Sequence, residues 1–228
     1  MAVDGRLRLG AALFNGDHAR LADEIARLEA AGLDFIHHDV FDGHFVADLG
    51  FSPRTIAALR PLTDLPFEVH LGVTNLRHVA PQVAEAGADL ILFHVESSAM
   101  LFEDIFFVQD LGVKVGLAFT LGTPLTVLEP VVTLIDSILL LSRVTGEGSR
   151  GAVFNPLVLP RIETARKMAI AAGVALDIQV AGSVQRQHVP DLVAAGASTI
   201  ALGGGIYRLP DMAVEVAALR AVAKEINR

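Results

Sequence analysis

The sequence predicts a single (β/α)₈ TIM barrel of the α/β class, and three observations lead to that prediction. Eight short apolar segments of strand character alternate with longer amphipathic segments along the chain. A length of 228 residues fits one barrel at the short end of the usual range. Hydrophobic residues make up 52% of the chain and charged residues 19%, which supplies apolar surface for a large core. We therefore expect residues 1–228 to form one domain.

The predicted strands are short runs rich in Val, Ile, Leu and Phe, as is typical of buried parallel strands. They are Arg8–Phe14, Phe35–Val40, Phe67–Leu71, Leu90–Val95, Lys114–Phe119, Ser137–Ser142, Ala175–Val180 and Thr199–Leu202. Eight strands, each followed by a helix or a helical turn, favour a closed barrel. An open doubly wound sheet is the alternative, but no glycine-rich dinucleotide turn follows the first strand.

Helical periodicity is clearest in four of the intervening segments. They are His18–Ala31, Leu76–Ala86, Pro156–Ala172 and Met212–Ile226. Glycines stand between helical segments and the following strands, at Gly32, Gly87, Gly112, Gly173 and Gly196. Because glycine adopts the left-handed conformation at least cost, we expect these positions to end helices.

Charge and composition exclude several classes of partner. The net charge of −8 argues against nucleic acid and membrane surfaces, since both require clustered Lys and Arg. Cysteine is absent, so disulfides, thiolate ligands and cysteine nucleophiles are excluded. The sequence shows neither a secretory signal nor a run of transmembrane length, and a cytoplasmic protein is expected. The apolar residues of Leu101–Val108 suggest a homo-oligomer.

Polar side chains cluster where the second and third predicted strands end, which is where barrel enzymes have their active sites. His37 and Asp39 share the inward face of strand two, whereas His38 points toward the helices, because side chains alternate along a strand. His70 ends strand three at a similar height. Two imidazoles and a carboxylate suit zinc, iron or manganese, so we expect a divalent metal at His37, Asp39 and His70. Hydrogen-bonded core histidines are the alternative.

Glycine-rich turns after the last three strands predict a phosphate site. Gly182-Ser183 follows strand seven and Gly203-Gly204-Gly205 follows strand eight, at the usual phosphate position of this fold. After strand six the chain adds Gly148, Ser149, Arg150 and Gly151, and Arg150 can contribute a charged fork. Glycine lets backbone N–H groups approach a phosphate closely. A small phosphorylated ligand is therefore expected.

Several segments together resemble the ribulose-phosphate 3-epimerase family. They read IHHDVFDGHF, TDLPFEVHL, GADLILFHVES, GTPLTVLEPV, NPLVLPRI and AGASTIALGGGIY, and they extend from about Arg8 to Tyr207. The most specific part is the His-x-Asp segment that continues into Asp42-Gly43-His44-Phe45. The resemblance implies a barrel of the ribulose-phosphate-binding type that acts on a small sugar phosphate. It also implies a place for His44 at the substrate.

The resemblance further implies a mechanism. His37, Asp39 and His70 would bind the metal, and Asp39 would also act as general base, so that the metal stabilises the resulting enediolate. A second carboxylate would deliver a proton to the other face. In the family that carboxylate is an aspartate in a VDGG motif, where this chain has Ala181. Further departures from the family fall at Ala12 and Thr120.

Arg143, at the end of strand six, adds a positive charge where the family has none. We expect it to hold a substrate carboxylate or to stabilise the enediolate. An ion pair with Glu96 or Glu147 is the alternative.

Three functions remain open. The first is an epimerase with Asp39 as base, in which Glu96 or a water supplies the second proton. The second is an isomerase or decarboxylase that uses the same enediolate. The third is a sugar-phosphate-binding protein without catalysis.

Overall fold

The computed structural model describes residues 6–144 and 153–226. Eight parallel strands pair in sequence order and close into a barrel, with the first strand bonded to the eighth. They are β1 Arg8–Ala12, β2 Phe35–Phe41, β3 Phe67–Gly72, β4 Leu90–His94, β5 Lys114–Phe119, β6 Ser137–Leu141, β7 Asp177–Ala181 and β8 Thr199–Leu202. Each observed strand begins and ends within two residues of its prediction. The predicted TIM barrel is confirmed.

Seven α-helices pack outside the barrel in the described part of the chain. They are α1 Leu21–Ala30, α2 Pro53–Leu59, α3 Leu76–Glu85, α4 Leu101–Asp110, α5 Val158–Ala172, α6 Val189–Ala195 and α7 Met212–Ile226. Between β5 and β6 the described connection has a 3₁₀ turn, Leu125–Leu128, in place of a helix. The five glycines expected to end helices have φ between 69° and 117°, which confirms their left-handed conformation.

Of the boundaries that shift, two have a clear local cause. The first helix begins at Leu21 instead of His18, because the Asp17 carboxylate accepts the Ala19 N–H at 2.9 Å and holds a turn there. The first strand ends at Ala12 instead of Phe14, because Leu13–Asn15 forms a 3₁₀ turn.

The barrel interior is layered from its amino end to its carboxyl end. At the amino end, Arg8 donates to Glu68 Oε1 and Asp177 Oδ2, both at 3.1 Å. Above this polar layer lies an apolar cluster that includes Leu92 and Leu139. The inward side chains beyond it, at the carboxyl end, form the site described below.

The helices bear on two expectations, the absence of a membrane span and self-association. In the part of the chain that the structure describes, no helix is long and apolar enough to cross a membrane. Phe102 and Phe106 on α4 are 43% and 47% exposed, which fits the predicted homo-oligomer. Self-association and the single domain over residues 1–228 stay predictions.

Candidate metal and substrate site

Neighbouring strands bring His37, Asp39 and His70 together at the carboxyl end of the barrel. Asp39 on β2 pairs in register with His70 on β3, so their inward side chains are adjacent. Asp39 Oδ1 lies 3.1 Å from His70 Nδ1 and 3.5 Å from His37 Nε2. One ligand atom of each residue lies within 4.8 Å of the others. The three residues therefore form one group, as the sequence predicted.

The donor set fits a divalent metal. Two imidazole nitrogens and one carboxylate oxygen are ligands that zinc, iron and manganese accept. Both histidines are buried, whereas the Asp39 side chain is 13% exposed. Solvent therefore reaches the group on the side of the Asp39 carboxylate. His37, Asp39 and His70 can thus hold a metal ion.

The electrostatics of the group favour an anionic carboxylate beside a neutral imidazole. Burial favours the uncharged carboxyl of Asp39, but the hydrogen bonds and charges of His37 and His70 outweigh it and hold its pKa well below the usual range. Burial lowers the pKa of His70 to about 4. For His37 burial also opposes charge, but the hydrogen bond and charge of Asp39 and the charge of Glu68 leave its pKa raised.

His38 faces the helices, as predicted. Its ring centroid lies 4.4 Å from that of Phe67 and 5.9 Å from that of Phe51. Burial lowers the pKa of His38 to about 3, so the ring is neutral in the folded protein. It is a packing residue between the barrel and its outer layer.

A third inward imidazole, His94 on β4, extends the group, although the sequence motifs did not single it out. His94 Nε2 lies 2.9 Å from His70 Nε2, and His94 Nδ1 lies 3.0 Å from Glu96 Oε2. The Phe45 ring, from the loop after β2, lies 4.7 Å from the His94 ring. The rule that identified His70, a polar residue at a strand end, applies equally to His94.

Glu96 is held by hydrogen bonds on both carboxylate oxygens. Oε1 accepts the Thr120 N–H at 2.8 Å and the Thr123 hydroxyl, while Oε2 faces His94. Burial raises the pKa of Glu96, but the bonds from His94, Thr123 and Thr120 outweigh it and lower the pKa to about 2. An ionised carboxylate with both oxygens occupied is poorly suited to donate a proton. Glu96 is therefore a weak candidate for the second acid.

The backbone of the turn after β7 lies close to the side chain of Arg143. Gly182 and Ser183 have φ of 100° and 57°, two left-handed residues in succession. A Cβ placed on Gly182 would lie 2.6 Å from Arg143 Cγ, so glycine is what lets the arginine pass beside this turn. Ala181, Gly182 and Arg143 thus share one side of the carboxyl-end opening.

The remaining predicted residues fall into two groups. Gly203 and Gly204 follow β8; a Cβ on Gly203 would meet no atom within 4 Å, whereas Gly204 lies against Asn15. Gly148, Ser149, Arg150 and Gly151 lie outside the described residues, as does Glu147. Arg143 makes no ion pair with Glu96, whose carboxylate has other partners, whereas the alternative pairing with Glu147 lies outside the described residues and stays a prediction.

His44 is exposed in the loop after β2, and Asp42 shapes that loop. Asp42 Oδ1 accepts the N–H groups of His44 and Phe45 at 2.9 and 2.8 Å. Asp42 Oδ2 accepts the Thr74 N–H and hydroxyl at 2.6 and 2.7 Å. These bonds outweigh burial and hold the pKa of Asp42 well below its usual range. Asp42 therefore joins the loops after β2 and β3.

The closed barrel with a His-Asp-His group at its carboxyl end defines a TIM-barrel enzyme with a candidate metal centre. The chain matches the Ribulose-phosphate 3 epimerase family over residues 8–207. Ribulose-phosphate 3-epimerase 2 of Cupriavidus necator is 35% identical over 209 residues, or 90% of this chain and 86% of that one. The Bacillus subtilis ribulose-phosphate 3-epimerase is 34% identical over 215 residues, or 94% of this chain and 98% of that one. The chain belongs to this family of carbohydrate-phosphate epimerases.

Solved structures support the fold independently. A KGPDC from Streptococcus mutans, in complex with a sugar phosphate, has a TM-score of 0.74 at 14% identity and covers 96% of this chain and 98% of its own. Orotidine 5'-phosphate decarboxylase from Pyrococcus horikoshii has a TM-score of 0.63 at 16% identity, with 96% and 99% covered. At such identities the similarity concerns the barrel alone.

Proposed function

We propose that this protein epimerises a small ketose phosphate, with Asp39 as the base. The observation that carries the proposal is an ionised, partly exposed Asp39 between two buried imidazoles. Relatives named ribulose-phosphate 3-epimerase support the reaction, and the sugar phosphate bound in a structural neighbour supports a ligand of that class. Ribulose 5-phosphate is accordingly the first substrate to test.

His37, Asp39 and His70 would hold a divalent metal, with zinc, iron and manganese all compatible with the donor set. When bound, the metal supplies Lewis-acid stabilisation of the negative charge on the ketose oxygens. Asp39 accepts the proton alpha to the carbonyl, and its lowered pKa keeps it ionised for that purpose. The two histidines hold Asp39 in place from either side.

The other end of the substrate is assigned to the turns after β7 and β8. Backbone groups at Gly182, Ser183, Gly203 and Gly204 would hold the phosphate, and the segment Gly148 to Gly151, with Ser149 and Arg150, would complete the site. His44 would line the opening from the loop after β2. Arg143, beside Gly182, would stabilise the negative charge that develops during the reaction.

The second proton is assigned to water, and the hydroxide that this leaves takes up the proton held by Asp39. Ala181 cannot transfer a proton, and both oxygens of Glu96 are occupied. This same observation favours a second candidate, an aldose–ketose isomerase, because one carboxylate suffices to move a proton on a single face of an enediolate. A decarboxylase that passes through a similar enediolate is a candidate for the same reason.

Incubation with ribulose 5-phosphate in D₂O tests the proposal. We expect deuterium at C3 together with xylulose 5-phosphate, detected by NMR. The Asp39→Asn variant should show a rate of deuterium exchange about 10²–10⁴-fold lower. Asp104→Asn is the matched control, since Asp104 is a buried carboxylate on α4 that pairs with Arg77 outside the barrel.

The outcomes separate the alternatives. Deuterium at C1 with an aldose product indicates an isomerase, and loss of a carboxyl group from an acidic sugar phosphate indicates a decarboxylase. Binding without any exchange overturns the proposed activity and leaves a sugar-phosphate-binding protein.

A further inference from the structure

A continuous row of side chains links Asp39 to Glu96 across three strands. His70 Nδ1 is 3.1 Å from Asp39, the two Nε2 atoms of His70 and His94 are 2.9 Å apart, and His94 Nδ1 is 3.0 Å from Glu96. Both histidines are almost fully buried, with 3% and 1% of their surface exposed. Water therefore contributes little to satisfying their ring nitrogens.

The row has one fewer N–H group than it has contacts. A neutral imidazole carries one N–H, so His70 and His94 supply two, whereas the row contains three contacts. Ionised carboxylates only accept hydrogen bonds, so neither Asp39 nor Glu96 can supply the missing donor. With both rings neutral, one contact lacks a donor, which a metal cation or a further proton on a ring would supply.

The surroundings decide which end lacks the donor. Among the described residues His94 is the imidazole that faces Glu96 Oε2, whereas Asp39 Oδ1 is approached by both His70 Nδ1 and His37 Nε2, at 3.1 and 3.5 Å. A divalent cation at the Asp39 end gains three ligands, whereas the described residues form no such group of three around Glu96. The protons then lie on His94 Nδ1, facing Glu96, and on His70 Nε2, facing His94.

We propose that His94 and Glu96 are positioning residues that fix the tautomer of His70, so that its Nδ1 lone pair is directed at a metal beside Asp39. Metal-ligating histidines usually donate their other N–H to an acceptor that sets ring orientation. Here that acceptor is a second histidine, and Glu96 sets its tautomer in turn. The inference rests on the proposed metal site and adds two residues to it.

The surrounding structure holds the end of the row rigid. The Thr120 N–H and the Thr123 hydroxyl bind Glu96 Oε1. Arg161, on α5, donates to the backbone carbonyls of Thr123 and Thr120 at 2.7 and 3.0 Å. The loop after β5 is thereby fixed against the barrel, so Glu96 can direct the His94 ring.

Zinc affinity and histidine tautomers test the inference. We expect His94→Phe, which removes the acceptor for His70 Nε2–H, to weaken Zn²⁺ binding about 10–100-fold in calorimetry. His94→Gln, whose amide oxygen can accept the same bond, should recover part of the loss. Glu96→Gln should weaken binding less than His94→Phe, and Asp104→Asn should leave it unchanged.

The zinc-loaded wild-type protein gives a readout that a merely structural role would not move. Nitrogen-15 NMR should show protonated Nδ1 on His94 and protonated Nε2 on His70, and Glu96→Gln should mix the His94 tautomers. Protonated Nε2 on His94, or wild-type zinc affinity in a folded His94→Phe, overturns the inference. Failure of the wild-type protein to bind Zn²⁺ overturns the metal site of the proposed function instead.

Discussion

Two inward carboxylates on neighbouring strands respond in opposite ways to the same barrel interior. Asp39 has imidazoles on two sides and a pKa held well below its usual range. Glu68 is 2% exposed, and its Oε2 has no hydrogen-bond partner among the described residues. Burial raises the pKa of Glu68 to about 7, although Arg8 opposes the shift. The partners of each carboxylate, and not its depth alone, decide its charge.

Glu68 makes stability depend on pH. Its folded pKa of about 7 lies above the ordinary 4.5, so the folded protein retains a proton that the unfolded chain releases. This contribution to stability is fully present below pH 4.5 and is lost as the pH rises through 7, by up to about 3 kcal/mol. Glu68→Gln should flatten the free energy of unfolding over this range, as measured by urea denaturation.

The control for Glu68→Gln is Glu129→Gln, at an exposed carboxylate after the 3₁₀ turn between β5 and β6. That variant should keep the wild-type pH dependence. An unchanged slope in Glu68→Gln would show that Glu68 is ionised in the folded protein throughout this range.

Arg143 offers a second test at the scale of one residue. It lies beside the Gly182 turn, and Glu96, its predicted acidic partner among the described residues, is bound elsewhere. If it contacts charge on the substrate, Arg143→Ala should lower kcat/KM about 10–100-fold, the range for hydrogen bonds to charged groups. Arg186→Ala, which removes an exposed arginine paired with Glu215, is the control. Equal kinetics in both variants contradict the role.

At the scale of elements, the sequence predicted the strands and helix ends, because these depend on local sequence pattern. Apolar runs located all eight strands, and glycines located five helix ends. Boundaries moved where side chains bond the backbone, as Asp17 does before α1. The predicted triad was recovered because it needs only alternation along β2 and the end of β3. His94 was missed although it also ends a strand, and its role becomes visible only in the contact with His70, 24 residues away along the chain.

Strand packing inside the barrel gives an element-scale prediction. Gly10 on β1 pairs with Phe35 on β2, and a Cβ on Gly10 would lie 2.2 Å from the Phe35 ring. Gly10→Ala should therefore destabilise the fold by about 1–3 kcal/mol through overpacking. Gly122→Ala, where a Cβ meets nothing within 4 Å, should change stability by less than about 0.5 kcal/mol.

Adding Phe35→Leu to Gly10→Ala makes room for the new methyl group. The double variant should be less destabilised than the sum of the two single variants, because the two sites are in contact. Additive losses in urea denaturation would show that Gly10 matters for a reason other than the Phe35 ring.

At the scale of the whole molecule, the two ends of the barrel have different tasks. At the amino end, Arg8 lies within ion-pair distance of both Glu68 and Asp177. At the carboxyl end, the row from Asp39 to Glu96 has a carboxylate at each end and two imidazoles between them. A cation that binds the folded site but not the unfolded chain stabilises the fold, so metal affinity and fold stability are linked.

This linkage predicts that zinc stabilises the molecule. At a free Zn²⁺ concentration of 100 times its Kd, binding to the folded state alone adds about 2.7 kcal/mol. For a chain of this size that corresponds to a rise in Tm of roughly 5–10 °C, measured by calorimetry. Asp39→Asn removes the carboxylate that lies between the two histidines, so this variant should lose most of the rise in Tm. Asp104→Asn should keep the rise. Tight zinc binding with no change in Tm would place the ion on the unfolded chain as well, and the barrel end would then not be its specific site.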